Sequence, residues 1–150
     1  PINLETCEEK LGASKSIASF TIPLGATINM DGTAVMQGVA AIFIAQLVGV
    51  DLTMNQMLMV VLTATLASIG TAGVPGAGAV MLSMVLQQIG LPLEGVALVL
   101  SVDRIVGMLR TTVNITGDAV ATIIMSNMEK ELDLSLYNSE SKEVNNGVVI

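Results

Sequence analysis

Ser68-Ile69-Gly70-Thr71-Ala72-Gly73-Val74-Pro75-Gly76-Ala77-Gly78 lies inside the longest uncharged run of the chain, the 42 residues from Leu52 to Leu93. Four glycines and a proline fall within the nine residues from Gly70 to Gly78. No helix interior carries that density, because glycine costs backbone entropy and proline removes a hydrogen-bond donor. The arms on either side are apolar: 17 residues from Leu52 to Ser68, and 11 from Ala79 to Ile89. Each is short of the roughly 20 residues that a bilayer crossing needs. The pattern predicts a re-entrant helical hairpin over 52–90, dipping into the membrane and returning to the side it entered. Its irregular tip is tolerated there only if buried in protein or lining a cavity.

The flanking segments are interrupted in the same way. Upstream, an apolar stretch from Ile17 to Met30 runs into Asn29-Met30-Asp31-Gly32-Thr33, and a second stretch continues from Ala34 to Val50. Together they read as one broken span, 17–50, that unwinds at its polar centre. Asp51, Thr53 and Asn55 mark a polar surface before the hairpin, and Gly90-Leu91-Pro92 with Glu94 forms the turn after it. A last span occupies 93–128, for which Gly95 to Met128 is long enough. Its residues Asp103, Gly107, Arg110, Asn114 and Asp118 step by 4, 3, 4 and 4 and so share one helix stripe. The expected fold is therefore an all-α membrane protein. A wet leader over 1–15, amphipathic from Leu4 to Lys15, precedes the membrane portion 16–128, and a tail follows over 129–150. In that tail Leu132-Asp133-Leu134-Ser135-Leu136 alternates as a strand would, but its polar composition favours a disordered end.

Composition supports the membrane reading, with 52% hydrophobic and 13% charged residues and a mean hydropathy of +0.74. From Ile17 to Asn127 the only charges are Asp31, Asp51, Glu94, Asp103, Arg104, Arg110 and Asp118. The net charge of -7 comes mostly from the two flanks, so it is no field for a basic partner, and nucleic acid is not expected as one. All four lysines, Lys10, Lys15, Lys130 and Lys142, also lie in the flanks. The positive-inside rule then makes both termini cytoplasmic and brings the hairpin in from outside. The lone Cys7 forbids an intrachain disulfide, and the absence of histidine removes imidazole metal sites and histidine-based triads. A polar start at Pro1 is read as a fragment or processed chain without a signal peptide.

Ionisable side chains at membrane depth are expensive and mark a site. Asp31 and Asp118, with Asn29, Asn114 and freed carbonyls, offer hard oxygen ligands that suit an alkali cation. The planar fork of Arg110 matches a carboxylate. Backbone N–H groups at the Gly70 to Gly78 tip can hold a second carboxylate or close over it. An anionic solute and cations held between broken helices is the chemistry of ion-coupled symport, not of an enzyme.

The three motifs Asn29 to Thr33, Ser68 to Gly78 and Arg110-Thr111-Thr112-Val113-Asn114-Ile115-Thr116-Gly117-Asp118 carry a resemblance. In that order, over residues 15 to 128, they resemble the C-terminal part of the transport domain of the dicarboxylate/amino acid:cation symporter family, the excitatory amino acid transporter or sodium:dicarboxylate symporter type. The resemblance implies a homotrimer in the plasma membrane that works by an elevator motion. The scaffold, the trimer interface and a first hairpin would lie outside this chain, and the second hairpin would be the extracellular gate. Arg110 would bind the distal carboxylate of the substrate, with Thr33, Thr111 and Asn114 around it and Val74 and Gly78 closing from the hairpin. Sodium is the implied coupling ion, with no other cofactor. One sodium would use Asp118 with backbone from Gly25, Asn29 and Asn114, and a second would use Thr27 with the carbonyls of Ser68, Ile69 and Thr71. A third would use Asn29 and Asp31, with ligands from beyond the chain.

One position departs from the pattern. Where amino-acid-transporting members carry an Asp for the substrate's amino group, three residues before the Arg, this chain has Gly107. A buried Asp without a partner is costly, so its loss fits a solute that lacks an ammonium. The expected substrate is accordingly a C4-dicarboxylate such as succinate, fumarate or malate, with glutamate or aspartate as the alternative. Retention of Asp31 and Asp118 argues for sodium rather than proton coupling.

Plainer readings compete. A phosphate-cradling loop would need a Gly-Lys-Ser/Thr, and no Lys occurs between Lys15 and Lys130. The glycine-rich segment can be a purely structural turn, and Arg110 can be a snorkelling charge or one paired with Asp103 or Asp118. Asp103 and Arg104 read as structural, and the ten methionines as adaptable packing. Two further classes stay open beside the carrier: an anion or cation channel that uses the hairpin as its filter, and a structural membrane subunit.

Overall fold

The computed structural model describes residues 1–69 and 76–145, and every regular element among them is an α-helix. In chain order these are α1 (Ile2–Glu9), α2 (Lys15–Ile28), α3 (Asp31–Leu47), α4 (Met54–Ser68), α5 (Ala77–Ile89), α6 (Gly95–Met128) and α7 (Leu134–Asn145). The helices α2 and α3 fall on the apolar stretches before Val50, α4 and α5 on those between Leu52 and Ile89, and α6 on 93–128. The tip, 70–75, lies outside the described residues.

Local chemistry sets the helix ends. Thr53 and Gln56 close a reciprocal capping box at the start of α4. Gly49 and Gly90, at φ +71° and +73°, follow α3 and α5 in the left-handed conformation that ends helices without a Cβ penalty. The polar break is narrower than the pentapeptide predicts. Met30, at φ -108° and ψ 51°, leaves the helical region, while Asp31, Gly32 and Thr33 already form the first turn of α3. An acid at that position complements the positive end of the helix dipole. Gly78 likewise lies inside the first turn of α5 rather than in the loop.

The chain divides into two compact units, residues 26–114 and residues 1–25 with 115–150. In the first, α3, α4 and α5 pack on one another around Ala41, Ile44, Val60, Ala64, Leu82, Val85, Leu86 and Val99. Gln56 at the start of α4 donates to the Ile89 carbonyl at the end of α5 at 3.4 Å, so the two arms run antiparallel. Gly95 lets α6 approach α3 closely, since a Cβ there would stand 2.7 Å from Ile44.

In the second unit Cys7, Ala13 and Ala18 form a small core beside Leu4, Leu11, Ile22 and Ala119. Burial, and secondarily the nearby Asp118 and Glu8 charges, push the Cys7 thiol pKa up. Thr21 and Thr122 share a hydroxyl hydrogen bond of 2.7 Å. Neither a strand nor a disordered end describes 134–145, which is helical. Asp133 overrides the alternating pattern, because its carboxylate accepts the N–H groups of Ser135 and Leu136 at 2.9 and 3.1 Å and starts α7. The Asp133 N–H in turn donates to the Gly12 carbonyl at 2.8 Å.

Large apolar side chains stay exposed along the membrane portion, among them Val35, Val39, Phe43, Leu58, Leu66, Val80 and Leu109. Such surface needs lipid or further protein to cover it. The 33 residues from Lys15 to Leu47 are long and apolar enough to cross a bilayer. The arms α4 and α5, at 15 and 13 residues, extend about 20 Å each, less than the ~30 Å hydrocarbon layer.

Candidate functional site

Arg110 occupies the centre of the site on α6. Its Nη1 lies 3.4 Å from an Asp103 carboxylate oxygen and 3.2 Å from the Met36 sulfur. Two glycines clear the space around it. A Cβ at Gly78 would stand 2.9 Å from Nη1, and one at Gly107 would stand 3.4 Å from Nη2 and 3.9 Å from both Asp103 oxygens. The Arg110 and Asp103 side chains remain 19% and 33% exposed, so this ion pair is open. They line a groove of about 720 Å³ together with Arg104, Gly107 and Thr111. A guanidinium with donors open to such a groove can pair with a carboxylate.

The start of α3 is fixed to α6 by Asn114. Its side-chain oxygen accepts the Gly32 N–H at 2.8 Å, and its nitrogen donates to the Thr33 hydroxyl at 3.2 Å. The N–H groups of a helix's first turn have no intrahelical partner, and Asn114 satisfies one of them. Gly32 is required there, as a Cβ would lie 2.5 Å from the Arg110 carbonyl oxygen.

Sequence reasoning missed Met36 and Gln37. Gln37 is 1% exposed and donates to the Gly78 carbonyl at 3.1 Å, tying α3 to the first turn of α5. The signal was present: Gln37 follows Thr33 by four residues on the stripe that continues to Ala41 and Ile44, all buried. A polar residue on that stripe belongs to a hydrogen bond, not to the apolar core.

Several of the expected cation ligands fall at helix ends, while Asn114 and Asp118 lie inside α6. Thr27 lies in the last turn of α2, Asn29 in the break, Ser68 at the end of α4 and Ile69 just past it. C-terminal turns leave carbonyls free and carry the negative end of the dipole, which suits a cation. Asp118 is 4% exposed, and its carboxylate packs against Gly25, where a Cβ would collide with it. Asp31 is exposed. Among the described residues no three acids, cysteines or histidines converge, so a cation would be held mainly by carbonyl and amide oxygens. Of the expected substrate contacts, Arg110, Gly107 and Thr111 share the groove, Gly78 abuts the guanidinium, and Thr33 and Asn114 bond to each other. Val74 and Thr71 lie outside the described residues.

Comparison with known proteins gives concordant matches. The sodium:dicarboxylate symporter family model matches residues 1–128. The chain is 48% identical over 146 residues to excitatory amino acid transporter 3 of Mus musculus, covering 97% of this chain and 28% of that protein. It is 48% identical over 130 residues to an excitatory amino acid transporter of Caenorhabditis elegans, covering 87% and 26%. Against excitatory amino acid transporter 2 of Homo sapiens the identity is 47% over 134 residues, covering 89% and 23%. The chain thus spans about a quarter of the length of the curated relatives it matches.

Proposed function

Because the chain belongs to the sodium:dicarboxylate symporter family, we propose that it forms the substrate and cation site of a sodium-coupled symporter of acidic amino acids, glutamate or aspartate. The observation that carries the anionic substrate is Arg110, held in an open groove between two glycine backbones. The relatives are named for excitatory amino acids, which favours the amino-acid reading over the C4-dicarboxylate expected from Gly107. The dicarboxylate reading survives as the second one, on the observation that residue 107 supplies no carboxylate.

In this account the Arg110 guanidinium takes the distal carboxylate, with Thr111 at its side. Asn114 keeps Thr33 and the start of α3 in register with it. Gly78 and Val74 would close over the substrate from the hairpin. Asp118, Gly25, Asn29 and Asn114 would hold one sodium, and Thr27 with Ser68, Ile69 and Thr71 another. Asn29 and Asp31 would contribute to a third. Residues 52–90 would act as the re-entrant gate of an elevator-type, trimeric carrier in the plasma membrane, with the leader and tail on the cytoplasmic side.

The test is uptake of labelled aspartate and labelled succinate by the full-length protein in proteoliposomes, with and without a sodium gradient. Saturable, sodium-dependent aspartate uptake that Arg110→Ala abolishes supports the account. Sodium-dependent succinate uptake that excess aspartate leaves untouched selects the second reading. A large sodium-independent current, or transport indifferent to Arg110→Ala, sinks both.

A further inference from the structure

A glutamate or aspartate brings two carboxylates and one ammonium, and an ammonium taken out of water needs an anion near it. Among the described residues lining the Arg110 groove, the charged ones are Asp103, Arg104 and Arg110. Two guanidinium groups and one carboxylate are the complement of such a ligand, and the only acid in the set is Asp103. We propose that Asp103 is the anion that recognises the substrate's ammonium group, and is therefore a specificity-determining residue of the site. This rests on the acidic-amino-acid reading and explains how that reading is compatible with Gly107.

The geometry around Gly107 supports the assignment. Asp103 precedes it by four residues, one helical turn along the same face of α6. Both Asp103 oxygens lie 3.9 Å from where a Cβ at 107 would stand, and Nη2 of Arg110 lies 3.4 Å from the same point. The missing side chain thus leaves unfilled the space that faces both charges. The ion pair is also incomplete as a purely structural bond. It is a single contact at 3.4 Å, from a carboxylate still 33% exposed, where a closed Arg–carboxylate pair is bidentate and shorter. Asp103 keeps lone pairs for a second cationic group, and Arg110 keeps donors for a carboxylate. The pair is a dipolar receptor for a dipolar ligand.

The test compares KM for sodium-dependent uptake of aspartate and of succinate by the full-length protein in proteoliposomes, native and with Asp103→Asn. The proposal expects the variant to raise the KM for aspartate about tenfold or more and that for succinate by less than about threefold. Adding Gly107→Asp to Asp103→Asn returns a carboxylate one turn on and recovers aspartate selectively. If the Asn variant does not fold, Asp103→Ser, also uncharged, is read in the same way. Equal loss for both acids assigns Asp103 to holding Arg110 and overturns the proposal, as does an unchanged aspartate KM. The native protein decides the underlying reading separately. Uptake of succinate without aspartate refutes the acidic-amino-acid reading and the role of Asp103 with it. Native aspartate uptake with an indifferent Asp103→Asn refutes the role of Asp103 alone.

Discussion

Asn114 holds the start of α3 through Gly32, whose backbone N–H it accepts at 2.8 Å while donating to Thr33 at 3.2 Å. Gly32 is buried, so removing the acceptor strands a donor away from water. Asn114→Ala is expected to cost about 1–3 kcal/mol for that orphaned group. Hydrogen exchange at the Gly32 amide should accelerate. Asn114→Asp keeps the acceptor and should preserve its protection.

Gly78→Ala is expected to act on binding rather than folding. The added methyl would sit 2.9 Å from the end of the Arg110 side chain, which is flexible and can swing away. KM for the transported acid should rise by about tenfold, the equivalent of some 1.4 kcal/mol, with the melting temperature in detergent little changed.

Gly95→Ala should do the opposite. Its Cβ meets three atoms of the fully buried Ile44 within 2.9 Å, and that side chain has nowhere to go. Overpacking of this kind costs about 1–3 kcal/mol. Combining it with Ile44→Ala should destabilise less than the sum of the two changes, and thermal melting of the single and double variants measures that coupling.

Acidification should weaken the start of α7. The Ser135 hydroxyl, and then the N–H groups of Leu136 and Ser135, hold the Asp133 carboxyl below its usual value. A lowered carboxylate pKa means that the cap is fully present above the ordinary aspartate value and is lost as pH falls through the lowered one. NMR titration of the Asp133 carboxyl checks this, with a midpoint below the ordinary value expected. Asp133→Asn should remove the pH dependence.

Helical character was legible because apolar runs and glycine interruptions are properties of the chain itself: a last span is expected over 93–128, and α6 runs Gly95–Met128. The stripe from Asp103 through Gly107 to Arg110 was equally legible, since helical periodicity alone brings those positions to one face. Contacts between helices were not. That Met36 faces Arg110, or that Gln37 reaches the Gly78 carbonyl, depends on how α3 seats against its neighbours. The tail misled for a related reason. The polar composition of the tail favours a disordered end over a strand, but the carboxylate of Asp133 caps the first turn of a helix there.

The substrate expectation turned on one absent side chain at Gly107, while the relatives over most of the chain are named for excitatory amino acids. The absence of one carboxylate does not fix a substrate when another, on Asp103, lies a turn away.

The central claim, sodium-driven symport of an acidic solute on Arg110, is tested most directly by aspartate uptake into proteoliposomes containing the full-length protein. The account predicts saturable uptake that requires an inward sodium gradient and disappears with Arg110→Ala while the protein stays folded. Uptake that proceeds equally without sodium, or that survives Arg110→Ala, would contradict it.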